Sequence, residues 1–121
     1  MRIKTVVAGM IVAGAAALAP GVAHAALSDC DSNNMCMWGN NDFVFMIGER
    51  GHGSTTITNL SGDNNDEMDS WANRSASYTG CMYSNAGGGG DKQTMARNSN
   101  DNNVSPLNSD EVSSWRTANG C

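Results

Sequence analysis

Asn65-Asp66-Glu67-Met68-Asp69-Ser70-Trp71 and Ser109-Asp110-Glu111-Val112-Ser113-Ser114-Trp115 share Asp-Glu-apolar-x-Ser-Trp in one register. A second shared landmark precedes each block. Cys36-Met37-Trp38 lies 30 residues before Asp66, and Cys81-Met82-Tyr83 lies 29 residues before Asp110. Two landmarks at matching spacing read as a structural duplication. Each half divides into four short runs bounded by Gly, Asn, Asp and Ser clusters, the punctuation that strands require. In the first half these expected strands are near 35–38, 43–47, 55–60 and 69–73. In the second they are near 78–83, 92–96, 104–107 and 113–116. Four antiparallel strands per half read as a Greek key, and two such units packed face to face make an all-β sandwich. Trp71 and Trp115 are its expected large core residues.

The first 25 residues have the parts of an export signal: basic Met1-Arg2-Ile3-Lys4, an apolar run to Ala19, then small residues at Ala23 and Ala25. The run is too short for a transmembrane helix and breaks at Pro20-Gly21. Cleavage after Ala25 is expected, giving a secreted, extracellular chain of residues 26–121 with no membrane attachment. That chain forms one domain, with repeats at about 30–75 and 78–121, expected to be a monomer. Loss of Arg2 and Lys4 leaves five basic against twelve acidic side chains, a net charge of −7. No basic patch exists to meet a phosphate backbone, so nucleic acid is excluded as a partner.

All four cysteines fall in the exported part, and an even count in a short secreted chain argues for disulfides. Cys30 and Cys36 enclose Asp31-Ser32-Asn33-Asn34-Met35, whose turn-forming centre can fold the two sulfurs together. A local Cys30–Cys36 bridge leaves Cys81 to pair with Cys121. A zinc site would show close Cys pairs or nearby histidines, whereas the exported chain holds only His52.

Catalysis has little to stand on. With the cysteines paired and one histidine, no nucleophile, base and orienting group form a set, and the chain is read as not an enzyme. The acidic run from Asp63 fails as an EF-hand, because Met68 stands where that loop needs Gly and Arg74 where it needs Glu.

The residues resemble βγ-crystallin-type domains, and among them the small secreted metalloproteinase inhibitors of actinomycetes. The resemblance rests on four features: the duplication, the opening Cys30–Cys36 spacing, the aromatic-plus-turn segments Trp38–Phe43 and Tyr83–Gly90, and a late (Asn/Asp)-(Asn/Asp)-x-x-(Ser/Thr)-Ser box in each half. It covers nearly all of residues 28–121. Asp69 replaces the usual hydroxyl in the first box, Ser109 replaces Asn or Asp in the second, and Phe45 stands where Gly90 stands in the other half. The second short disulfide of the inhibitor prototype has no counterpart.

The resemblance implies a proteinaceous inhibitor of extracellular peptidases, with the Cys81–Met82 bond as the counterpart of its inhibitory loop. It requires no cofactor, but it nominates Asp66, Asp69, Asp110 and Ser113 as ligands for Ca2+. Calcium takes six to eight oxygens, which such a surface supplies. The rival readings are a non-inhibitory calcium-binding or structural module, and a small toxin or antagonist. The bland reading of the four nominees is that they cap turns.

Overall fold

The computed structural model describes residues 26–104 and 110–121. The expected export signal, Ser109 and the end of the expected strand at 104–107 lie outside them.

Among the described residues, eight strands form two four-stranded antiparallel sheets. They are β1 (Asn34–Asn40), β2 (Val44–Gly51), β3 (Thr58–Asn59), β4 (Ser70–Asn73), β5 (Gly80–Tyr83), β6 (Lys92–Met95), β7 (Ser99–Asp101) and β8 (Ser114–Arg116). The first sheet runs β2-β1-β4-β7 and the second β3-β8-β5-β6. Each half therefore contributes three strands to its own sheet and lends its third strand to the other. Thr58 pairs with Trp115, and Trp71 pairs with Asp101.

The core between the sheets is built from Met35, Met37, Met68, Trp71, Met82, Met95, Val104, Val112 and Trp115. Methionine fills such a space well because its unbranched thioether adapts to irregular gaps. A smaller cluster of Cys30, Cys36, Trp38 and Ala72, with Leu27 and Phe43 against it, packs on the other face of the first sheet. Strand β1 is thus covered on both faces, Met35 and Met37 on one and Cys36 and Trp38 on the other, so Met35-Cys36-Met37-Trp38 is buried without the polar alternation of a half-exposed strand. Both expected bridges are present: Cys30–Cys36, and Cys81–Cys121 across a separation of 40 residues.

Two strands differ from the sequence expectation. The seventh lies at Ser99–Asp101, not at 104–107. A turn with Asn98 in the left-handed region (φ 50°) brings polar Ser99-Asn100-Asp101 beside β4, where backbone pairing decides. Val104 is buried, but as a core residue beyond the strand. The third strand shrinks to Thr58–Asn59, because residues 54–57 form no ladder and are held instead by single bonds to Thr117 and to the Arg50 side chain.

The two halves repeat each other in hydrogen bonds as well as in sequence. Ser70 Oγ accepts from Phe43 N and donates to Asn40 O. Ser114 Oγ accepts from Gly88 N and donates to Asn85 O. The last Ser of each box thus fastens the hairpin of its own half.

Candidate functional site

The two acidic boxes meet on the pseudo-twofold axis. Asp66 N donates to Val112 O and Asp110 N to Met68 O, each at 3.0 Å, so equivalent residues exchange equivalent bonds. Asp66 and Asp110 both adopt left-handed backbone (φ 60° and 58°), a conformation that short Asp side chains tolerate.

All four nominated calcium ligands come together here, as two pairs. Ser113 Oγ donates to Asp66 Oδ1 at 2.9 Å. Asp110 is hydrogen-bonded to Asp69. The pKa of Asp110 is raised, first by what desolvation its carboxyl suffers, then by the bond to Asp69 and the negative charges of Asp69, Glu67 and Asp66. Asp110 is an exposed residue, so water screens much of this.

A cleft of about 300 Å³ opens beside the pair, lined by Asp66, Ser84, Asn85, Asp110 and Glu111. Its donors are oxygen-rich and its charge is negative, which fits a hard divalent cation in kind. They are not drawn into a tight cage. Among the described residues, the set of three His, Cys, Asp or Glu ligand atoms within 4.8 Å of one another is Cys30, Cys36 and Glu49, whose sulfurs are joined in the disulfide. The box motif alone did not nominate Ser84 and Asn85, which reach the cleft from the hairpin after β5.

The expected inhibitory bond is corrected by the structure. Cys81 and Met82 lie in β5, between β8 and β6; Cys81 pairs with Arg116 on one side and Thr94 on the other. Met82 is 1% exposed and part of the core. A peptide bond inside a sheet, laddered on both sides, cannot enter a cleft as an extended substrate. The alternation that placed Met82 near a half-cystine reflects a strand position.

The fold matches solved βγ-crystallins. A structure concerning the evolution of the eye lens βγ-crystallin domain fold aligns with a TM-score of 0.61 and 13% identity, covering 75% of this chain and 91% of that one. A βγ-crystallin domain from Flavobacterium johnsoniae gives 0.55 and 22%, covering 74% and 99%. The N-terminal domain of protein S gives 0.52 and 26%, covering 69% and 92%. No curated protein sequence matches the chain. Residues 23–80 match the model of peptidase inhibitor family I36.

Over that segment, just under half of its length, the chain is similar to peptidase inhibitor family I36. The matched family is one of inhibitors and not of enzymes, and the partner class that the match implies is a peptidase. The match ends just before Cys81, so the matched segment holds β1 to β4 and the loops between them.

Proposed function

We propose that the protein is a secreted, monomeric inhibitor of extracellular peptidases, of the metalloproteinase type by its resemblance to the actinomycete inhibitors. The single observation that carries this reading is the family match over residues 23–80, set on a βγ-crystallin fold. Two disulfides support an oxidising, extracellular setting. A stapled domain also suits the task, because a surface already ordered before binding has little entropy left to lose in a cleft. The test is a titration of the secreted protein against a thermolysin-like zinc peptidase and a subtilisin-like serine peptidase. Stoichiometric loss of peptide cleavage by the zinc enzyme is expected; full activity of both in excess inhibitor refutes the reading.

A second reading is favoured by the acidic cleft, and the two are compatible. We propose that Asp66, Asp69, Asp110 and Ser113 hold Ca2+, with Ser84, Asn85 and Glu111 beside them. The cation would relieve the repulsion among Asp66, Glu67, Asp69 and Asp110 that raises Asp110. Calorimetry on the wild type and Asp66→Ala decides it: heat of binding in the first and its loss in the second are expected, and no heat in either removes the calcium reading.

A further inference from the structure

We infer that residues 54–57 form the segment that enters the peptidase cleft, with the Thr55–Thr56 peptide bond placed at the catalytic centre. This deepens the inhibitor reading and rests on it.

The segment joins β2 to β3 and has the sequence Ser54-Thr55-Thr56-Ile57. It is neither helix nor strand, and Thr55, Thr56 and Ile57 are exposed in succession. A loop of this kind is ordinarily the mobile part of a domain. Here it is tied down at both ends from beneath. Gly53 N donates to Thr117 O at 2.8 Å, Ser54 N to Thr117 Oγ1 at 3.1 Å, and Thr117 N to Ser54 O at 3.0 Å. At the other end Thr56 O accepts from Nη1 and Nη2 of Arg50, each at 3.3 Å. The same guanidinium donates to Ser54 Oγ and to Trp115 O, both at 3.2 Å, and lies over the Trp115 ring, 5.5 Å from its centroid. Ser54 Oγ also accepts from Thr56 N at 3.3 Å.

The carbonyls of Ser54 and Thr56 are therefore both turned into the domain. Thr55, between them, makes no hydrogen bond through its amide or carbonyl among the described residues. Thr55 is itself exposed, so its carbonyl, without a partner among the described residues, is left for a bound peptidase. A peptidase needs that presentation. The carbonyl to be attacked is free to meet an oxyanion hole or a metal, and its neighbours are already fixed. Three β-branched residues stiffen the run further. The ordering that a flexible substrate must undergo on binding has been completed on folding.

Tethers on both sides of the bond also explain why such a loop would inhibit. Hydrolysis adds one water across the Thr55–Thr56 amide, leaving a carboxylate on Thr55 and an amine on Thr56. Arg50 keeps the Thr56 side in place, so the amine does not diffuse away and the bond is slow to be lost. The tethers come from both repeats, Arg50 from the first and Thr117 and Trp115 from the second, so the loop has this shape only in the folded domain. The segment lies inside the family-matched residues, whereas Cys81–Met82 lies outside them. The cation that touches the loop is directed inward, so the face offered is uncharged. It suits a peptidase with neutral, medium-sized subsites on both sides of the bond.

The test compares the secreted wild type, Thr55→Glu, Arg50→Lys and Phe45→Ser against the same zinc and serine peptidases. Phe45 is 60% exposed on the β1–β2 hairpin and is the rival contact. Thr55→Glu changes an exposed side chain with no partner to lose. Its circular dichroism and melting should match the wild type, while its inhibition constant rises at least tenfold. Arg50→Lys keeps the charge but loses the fork, and should be nicked at Thr55–Thr56 faster than the wild type, as read by mass spectrometry. Phe45→Ser should inhibit normally. Undiminished inhibition by Thr55→Glu, or a loss confined to Phe45→Ser, overturns the loop assignment and leaves the inhibitor function standing. A wild type inert toward both enzymes overturns the function and the loop together.

Discussion

Removing the long bridge by Cys81→Ala/Cys121→Ala tests how far this polar domain depends on sulfur. The bridge closes a chain separation of 40 residues and ties the end of the chain to the middle strand of the second sheet. In the chain-entropy account a closed loop of about that size restricts the unfolded ensemble by ~13 cal/mol/K, or about 3.9 kcal/mol at 25 °C. Cys81 is fully buried, so truncating it adds a cavity cost of about 1 kcal/mol, while Cys121 is exposed and adds little. The expected loss is thus about 4–5 kcal/mol. A domain of this length has roughly 5–14 kcal/mol in all. Urea unfolding followed by tryptophan fluorescence measures it. The midpoint should fall sharply and the m-value should rise, because an unlinked unfolded chain expands and exposes more surface. A loss below about 2 kcal/mol with an unchanged m-value would refute the loop-entropy reasoning.

Three further outcomes are expected. Gly80→Ala places a Cβ 2.5 Å from Met35 Sδ and 2.9 Å from Arg116 O, and since the second contact is backbone, the variant should lose about 1–3 kcal/mol or more in thermal melts. Ser114→Ala removes the acceptor of Gly88 N and the donor to Asn85 O at a half-buried site; urea unfolding should show a loss of about 1 kcal/mol. Asp110→Asn tests the acidic pairing through pH. A raised folded-state pKa means that the native state holds the proton more tightly than the unfolded chain, so stability is highest below the ordinary carboxylate range and falls as pH rises through the folded value. In calcium-free buffer the variant should therefore match the wild type near pH 3 and exceed it near pH 7; equal melting temperatures at both would show that the pairing is inconsequential.

Much of the architecture was legible because its signals are local. The matching boxes at Asp66 and Asp110 marked the duplication, and the turn-forming residues between Cys30 and Cys36 gave the short bridge. Among the described residues, seven of the eight strands overlap an expected run: five lie inside theirs, and β1 and β2 extend beyond theirs. The seventh was missed because Ser99-Asn100-Asp101 carries no apolar alternation; β4 makes it a strand by pairing with it. The acidic boxes gave the candidate ligands, but not the hairpin residues Ser84 and Asn85 that share their cleft. The Cys81–Met82 assignment failed because a half-cystine beside an apolar residue reads the same in a protruding loop and in a buried strand.

The sequence by itself determined the β class and the two repeats, since spacing and residue inventory decide these without reference to neighbours. Tertiary structure alone decided that the halves exchange their third strands, because a strand's side-chain period encodes which face is buried but not which strand lies beside it. It alone decided the form of residues 54–57 as well: the groups that hold them, Arg50 and Thr117, are 67 positions apart in the chain, and Trp115, whose carbonyl and ring seat the Arg50 guanidinium, is 65 from it. Those contacts exist only after the two sheets have closed on each other.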